Sequence, residues 1–571
     1  MTIRESLEVV LHQALTSAVQ AGELPLDEVP LPTLERPREE GHGDWACTVA
    51  MRLAKAARMN PRAIAQILVD NLPENNLIES VEIAGPGFIN LTLANAVFQN
   101  VVTEVREQGS DYGKSSLEHP CKVDLEYVSA NPTGPMHVGH GRWAALGDAI
   151  ARVMRHAGYE VDEEFYINDQ GNQMNVFADS LVVRYQQALG LEVEMPEASY
   201  GGGYVKDLAQ QIIERDGDKW LSVDPDTRRH EFREMGYQAM MNNVKETLEI
   251  FGNHFDTWFS ERSLFVPDEE GKTKVDRAFE VMKERGYIFE QEGATYFRST
   301  AFGDEKDRVL IKTNGELTYF MSDVAYHYDK MQRGYDHLID IWGADHHGYI
   351  PRCQAMMAAW GYPDALEVVL GQLVTLFRDG QQVRMSKRTG EMITFRELID
   401  EVGVDATRYM MLSKSSDQSI DFDIEVAKKK DASNPVYYVQ YAHARICSIL
   451  RKAAEARGIS TENASVADLV DALQIATADL SVLTHESELD LMRKMADFTD
   501  LIAGAARDRA PFRLTHYAQD LASLFHSFYT NCRVIGEEKA VEQARLALAD
   551  SARIVLALTL NLLGVSAPER M

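Results

Sequence analysis

Residues 129–140 read Ser-Ala-Asn-Pro-Thr-Gly-Pro-Met-His-Val-Gly-His, and they decide the fold. The stretch sets His137 and His140 among glycine and proline breaks, between two regular patterns. Residues 122–128 before it are β-rich and mostly apolar. After it, Trp143, Leu146, Ala149, Ile150, Val153 and Met154 recur at helical spacing until Gly158 supplies a stop. The order is therefore strand, tight loop, helix. A helix start leaves backbone N–H groups without intrahelical partners and carries the positive end of the dipole. A phosphate can sit there, with the two imidazoles as further donors and Gly139 letting a nucleotide approach the backbone.

Far downstream, residues 384–390 read Arg-Met-Ser-Lys-Arg-Thr-Gly, after a β-rich run at 368–377. In order and separation the two stretches resemble the paired signatures of class I aminoacyl-tRNA synthetases. The His-Ile-Gly-His pattern stands as His137-Val138-Gly139-His140, and the Lys-Met-Ser-Lys-Ser pattern as Arg384-Met385-Ser386-Lys387-Arg388. The flanks narrow the resemblance to the arginyl-tRNA synthetases. They are the lead-in from Glu126 through Ser129 and Asn131, then Tyr319-Phe-Met-Ser-Asp323, Trp342-Gly-Ala-Asp-His-His-Gly348, the run from Asn434 to Arg445, and the terminal Pro568-Glu-Arg-Met571. Essentially the whole chain is covered.

The resemblance implies an arginine–tRNA ligase that forms arginyl-adenylate from L-arginine and ATP. It then transfers the arginyl group to the 3′-terminal ribose of tRNA(Arg). Attack of a carboxylate on the α-phosphate needs positioning and charge neutralisation, and no protein nucleophile. By resemblance, Pro135, Met136, His137, Gly139 and His140 line the ATP site together with Met385, Ser386 and Lys387. His137, His140 and Lys387 are the expected catalytic groups, with Lys387 facing the departing pyrophosphate. Arg384 replaces the family's first lysine; its planar fork spreads the charge, which leaves its role open. Mg2+ would accompany ATP.

A buried guanidinium demands carboxylate partners. Tyr319 and Asp323, four residues apart, fall on one face if the segment is helical, where a ring can flank a guanidinium that the carboxylate holds, and the resemblance assigns them this role. The resemblance adds Glu126, Ser129, Asn131, His140 and His347 to the arginine site. His346 and His347 also raise a metal site, but no further ligand stands at a zinc-like spacing, so neither zinc nor another protein-held metal is expected.

A chain of 571 residues with 45% hydrophobic content implies several domains. The expected fold is α/β. Residues 1–110 form an N-terminal α+β domain, which the resemblance implies contacts tRNA, and 111–425 a Rossmann-type parallel-sheet catalytic domain with a polar, irregular insertion near 190–300. Residues 426–571 form an all-α helix bundle, which the resemblance implies binds the anticodon. The glycines at 201–203 read as a flexible joint. Asp405-Ala-Thr-Arg408 is a variant of the Asp-Ala-Leu-Arg sequence seen at this point in related synthetases. Five scattered cysteines without a Cys-x-x-Cys pair suit reduced thiols and a cytoplasmic protein. Neither a signal peptide nor a membrane-spanning stretch is expected, and the family suggests a monomer.

The net charge of −30 runs against an RNA partner and gives no reason to expect DNA. A globally acidic enzyme can still present one basic face. Lys428, Lys429, Lys430, Arg507, Arg509, Arg513 and Arg533 are candidates for it, or else solvated helix faces. Phe88 and Asn90 stand where an exposed base could be stacked and hydrogen-bonded, with sheet core as the alternative for Phe88. Tyr441, His443 and Met571 are the corresponding candidates at the C-terminal end. Two other functions compete: a catalytically silent, synthetase-derived RNA-binding scaffold, and a nucleotidyltransferase of related chemistry. Intact His137, His140 and Lys387 count against the first. The helical C-terminal region and the arginine-type pocket count against the second.

Overall fold

A computed structural model describes residues 2–37, 41–115, 119–383 and 393–571. At its centre five parallel strands run in the spatial order Leu366–Gly371, His337–Gly343, Lys122–Glu126, Glu160–Ile167, Thr257–Ser260. Chain order reverses between Lys122–Glu126 and His337–Gly343. The crevice beyond the carboxyl ends of these two strands is therefore the topological switch point, where open α/β sheets bind ligands. From Val123 onward the Lys122–Glu126 strand is buried, as a central parallel strand must be.

The helix Val138–His156 leaves that strand through the 129–137 loop and is buried along most of its length. Close approach to the sheet needs a residue without a side chain. A Cβ on Gly147 would lie 2.2 Å from the Tyr127 ring.

The stretch near 190–300 is not irregular. It holds the helices Gly203–Asp216, Pro225–Phe251 and Lys274–Glu284, and its strand Thr257–Ser260 completes the central sheet. Composition misleads here because the helix Pro225–Phe251 buries a narrow stripe, with Phe232, Gly236, Met240, Val244 and Leu248 each four residues apart in an otherwise charged sequence. Of the glycines at 201–203, Gly203 opens the helix Gly203–Asp216 and Gly202 is its N-cap.

At the N-terminal end four antiparallel strands, Leu34–Glu35, Trp45–Cys47, Phe88–Leu93 and Ile78–Ala84 in spatial order, pack with the helices Ile3–Gln20, Val49–Ala57 and Pro61–Asp70. The following helix, Asn95–Gln108, lies against the C-terminal helices Glu486–Ala496 and Lys539–Leu562. Ser551 Oγ donates to the Val102 carbonyl at 3.1 Å, and Arg106 to that of Ile475 at 3.0 Å.

From Pro435 the described chain is helical. Pro435–Ala456, Phe512–Asn531 and Lys539–Leu562 pack on one another. Arg408 ties this bundle to the sheet domain. Fully buried, it pairs with Asp148 on the helix Val138–His156 and donates to the carbonyls of Phe251 at 2.9 Å and Leu563 at 3.1 Å. The five cysteines are free thiols. Among the described residues no helix is long and apolar enough to cross a membrane.

Candidate active site

The corner after Lys122–Glu126 is conformationally unusual. Val128 and Ser129 both adopt positive φ, 69° and 41°, a region costly for a β-branched residue and concentrated at functional sites. The turn aims the Ser129 hydroxyl back at Glu126 Oε1, at 2.8 Å, while the Tyr166 backbone N–H donates to Ser129 Oγ at 3.2 Å. His137 caps the helix Val138–His156, and its own N–H donates to His140 Nδ1 at 3.2 Å. The two rings stack, 3.6 Å between centroids and 22° apart in plane. Gly139 makes room for this pair, because a Cβ there would meet His137 Cε1 at 2.9 Å. The close approach that requires the glycine is thus that of the His137 ring. Both imidazoles stand half-exposed at the positive end of a 19-residue helix, a site suited to an anion.

The second signature, residues 384–392 with Arg384, Met385, Ser386 and Lys387, lies outside the described residues. Its exit does not. Thr394 forms an isolated antiparallel bridge with His137, and the Phe395 N–H donates to the Met136 carbonyl at 2.8 Å. The chain leaving the second signature is therefore bonded to the first.

Beside this corner the strands carry acids in register. Glu126 pairs with Asp340 on one neighbouring strand and with Glu164 on the other, while Asp124 sits two residues back on the same face. Like charges side by side in a buried sheet are costly without compensation. Compensation comes from the helix Tyr319–Gln332 and the residue just beyond it. Lys330, fully buried, lies 2.8 Å from Glu126 Oε2, 2.9 Å from Asp340 Oδ1 and 3.4 Å from Asp124 Oδ2. Arg333 forks onto Glu164. His327 Nε2 meets Asp340 Oδ2 at 3.0 Å, and its Nδ1 meets the Asp323 carbonyl at 2.8 Å. Two acceptors facing both ring nitrogens favour the imidazolium. Burial is the largest single influence and opposes that charge, but the hydrogen bond and the charge of Asp340, together with the Asp323 carbonyl, overcome it and raise the His327 pKa. Burial would likewise lift Asp340, yet Lys330 and His327 hold it below the usual carboxylate range. Asp124 is shifted up by its burial, against the pull of Lys330.

Among the described residues, two acids at this end have no such cation. Asp323 keeps part of its surface open; loss of water around its carboxyl raises its pKa to about 7, with Glu261, Glu126 and Asp340 adding to the rise and His327 opposing it. Glu261, just past the end of the Thr257–Ser260 strand, is buried and also raised to about 7, with Asp169 adding to the effect and the Ser322 and Tyr166 hydroxyls opposing it. Carboxyls that resist ionising near other acids gain most from a cation brought between them.

Ser129 is bonded to Glu126 at the end of its strand, and Asp323 lies close enough to Glu126 and Glu261 to feel their charges. Tyr319 opens the helix Tyr319–Gln332 and is 72% exposed, and the exposed His347 lies in the turn Ala344–Tyr349 that follows the strand His337–Gly343. Asn131 is exposed and donates to Gln173 at 2.9 Å. Pro135 is half-buried in the loop. Met136 departs from expectation, because its side chain is in the core and only its backbone borders the loop. Glu261, His327, Lys330, Arg333 and Asp340 were not anticipated. Asp340 did carry a signal, an acid inside the apolar run Leu338-Ile-Asp-Ile-Trp342.

Among the RNA candidates, Phe88 is half-exposed, Tyr441 is exposed with Tyr437 stacked on it, and Met571 is exposed. Asn90 is buried, with its amide 3.3 Å from His42 Nδ1, in a strand that lies between two others of its sheet. His443 is buried too, bonding the Pro568 carbonyl at 2.9 Å and so strapping the chain end to the helix Pro435–Ala456. Arg509 turns inward to Glu367 at 3.1 Å, and Arg513 pairs with Asp508 at 2.8 Å. Lys428, Lys429 and Lys430 border a cleft of about 560 Å³ between the sheet domain and the bundle. Among the described residues no cluster of three or more metal-ligating side chains occurs.

Residues 2–93 match the arginyl-tRNA synthetase N-terminal domain, 101–448 the class I (R) tRNA synthetase catalytic domain, and 439–571 the DALR anticodon-binding domain. The arginine–tRNA ligase of Heliobacterium modesticaldum is 46% identical over 570 residues, covering 100% of this chain and 99% of that protein. That of Listeria welshimeri is 47% identical over 575 residues, covering 100% of both. The Thermus thermophilus arginyl-tRNA synthetase structure shares the fold over 100% of both chains, with a TM-score of 0.73 at 24% identity. With the exit of the second signature bonded to the first and every part of the chain matched, the protein belongs to the arginyl-tRNA synthetase family of class I aminoacyl-tRNA synthetases.

Proposed function

We propose that this chain is an arginine–tRNA ligase. The observation that carries the reading is the convergence at one sheet end of a helix-terminal imidazole pair, bonded to the exit of the second signature, with an acidic receptor built on Glu126, Asp323 and Glu261. The arginine carboxylate attacks the α-phosphorus of ATP, an O–P bond forms, and the bond to pyrophosphate breaks. A hydroxyl of the terminal ribose of tRNA(Arg) then attacks the acyl carbon and AMP leaves. His137 and His140 offer donors to the phosphates, and Lys387 offers charge to the leaving group. Asp323 and Glu261 face the guanidinium, with Tyr319 at its flank. Ser129, Asn131 and His347 border the remainder of the substrate. A receptor that pairs a guanidinium with carboxylates rejects neutral amino acids strongly, so no editing domain is required.

Mg2+ accompanies ATP as part of the substrate. The protein works as a cytoplasmic monomer. Its regions 1–110 and 426–571 hold tRNA on either side of the catalytic region 111–425, with Phe88, Tyr441 and Met571 as the accessible contacts. ATP–pyrophosphate exchange with each of the twenty amino acids, with and without tRNA(Arg), tests the assignment. Exchange is expected with arginine only, and incorporation of label with any other amino acid, or with none, overturns it.

A further inference from the structure

Glu126 ends the central strand at the switch point, and the receptor needs it both charged and fixed. Neither condition is automatic. Glu164 and Asp340 flank it in register, and Asp124 lies behind it on the same strand. Four acids sharing one buried face favour protonation of at least one of them. A loosely held carboxylate would also rotate away from its neighbours.

Three donors restrain Glu126. Ser129 holds Oε1 at 2.8 Å, while Lys330 at 2.8 Å and the Tyr326 hydroxyl at 2.9 Å hold Oε2. Tyr326 has a single proton and also meets Glu164 Oε1 at 2.5 Å, so that one proton is shared between the two carboxylates. Lys330 has three protons, and its three acid neighbours, Glu126, Asp340 and Asp124, use them. Its ammonium is wholly buried, and the residue is carried by the helix Tyr319–Gln332, which also carries Asp323. One rigid element thereby sets the places of two carboxylates of the receptor, Asp323 directly and Glu126 through Lys330.

We infer that Lys330, assisted by Tyr326, is the positioning residue for Glu126: it never touches arginine, but it fixes the charge and direction of the carboxylate that does. The inference rests on the arginine site proposed above. Burying an ion network of this size is a poor way to gain stability, since well-packed apolar residues do as well. A positional role explains its presence better.

The test uses the full-length protein with tRNA(Arg), measuring pyrophosphate exchange with arginine and ATP varied separately, alongside thermal unfolding. Lys330→Met alone leaves acids unpaired and can prevent folding. The charge-balanced variant Lys330→Met/Asp124→Asn, which removes one buried charge of each sign, is the informative one. It is expected to unfold near the unmodified protein, raise KM for arginine about tenfold or more, and leave KM for ATP within about twofold. The Lys330 effect should vanish in a Glu126→Gln background, because the group being positioned is gone. Tyr326→Phe, a smaller change, should raise KM for arginine a few-fold and also lose its effect in Glu126→Gln. Recovery of KM for arginine together with stability in the charge-balanced variant overturns the inference by showing Lys330 to be structural ballast. So do independent, multiplying effects of Lys330 and Glu126, or an unchanged KM in Tyr326→Phe. Exchange by the unmodified protein with a different amino acid sinks the functional assignment instead, and is visible before any variant is made.

Discussion

At the scale of single residues, Asp323 and Glu261 make the receptor sensitive to pH. Both are raised to about 7, from ordinary values of 3.8 and 4.5. A raised acid favours the folded state while protonated, so its contribution is complete below the unfolded value and disappears as pH climbs through about 7. The ligand-free protein should therefore lose stability between pH 4 and pH 7 from these two groups. Arginine reverses the preference, because a guanidinium binds the ionised carboxylates and pulls their pKa values down. Near pH 7 binding should release about one proton in total and tighten as pH rises through 7. Calorimetric titration in two buffers of different ionisation enthalpy reads the release directly, and a heat independent of buffer would refute it. Asp323→Asn should weaken arginine by about 2 kcal/mol or more while sparing ATP, since a cation loses its charged partner. Equal weakening of both ligands would place Asp323 elsewhere.

At the scale of elements, the helix Val138–His156 carries the histidines at one end and rests on Tyr127 near its middle. Gly147→Ala puts a Cβ 2.2 Å from that ring, which the packed strand behind cannot yield, whereas Gly139→Ala at 2.9 Å disturbs only the His137 side chain. Gly147→Ala should cost about 1–3 kcal/mol of stability through overpacking. Gly139→Ala should unfold normally yet slow pyrophosphate exchange. Thermal melts paired with exchange rates distinguish them, and a reversed pattern would mean the glycines have been assigned the wrong tasks. This helix and its loop were legible in the sequence because their signals are local: a period of 3.6, a capping loop, a short pattern of histidines. The strand Thr257–Ser260 was not. It is only four residues long, and it follows a helix whose apolar stripe is diluted by charge. The acid network was equally hidden, since Lys330 meets Glu126 across 204 positions and no periodicity announces that partnership. Asn90 and His443 were misjudged for a related reason. Residue type suggests a surface group, and only packing reveals that Asn90 is buried beside His42 and that His443 fastens the chain end.

At the scale of the whole molecule, the regions proposed to hold tRNA are bonded to the catalytic sheet rather than strung beside it. Arg408 joins Asp148, on the helix that begins with the signature histidines, to the Leu563 carbonyl just past the end of the helix Lys539–Leu562. Asp405 on the same helix as Arg408 accepts from the Ser566 N–H at 3.0 Å, and Arg106 links the helix Asn95–Gln108 to Asp550 at 3.3 Å. A ligand bridging the N-terminal region and the bundle therefore bears on the helix that carries His137 and His140. Such a ligand shifts the population of a catalytic conformation only to the extent that it binds that conformation better. We expect tRNA(Arg) to do so, as the family resemblance implies for arginyl enzymes. The protein should show negligible ATP–pyrophosphate exchange with arginine alone and robust exchange once cognate tRNA is added. Raised salt should weaken the stimulated rate by eroding phosphate contacts, and an Arg408→Gln protein that still folds should respond less to tRNA than the unmodified one. Removing all of 440–571 is a poorer probe, because the helices Asn95–Gln108 and Val138–His156 pack on that bundle and would be stripped of their cover. Full exchange without tRNA, or undiminished stimulation in Arg408→Gln, would break the proposed link between the bundle and the signature helix while leaving the arginine chemistry in place.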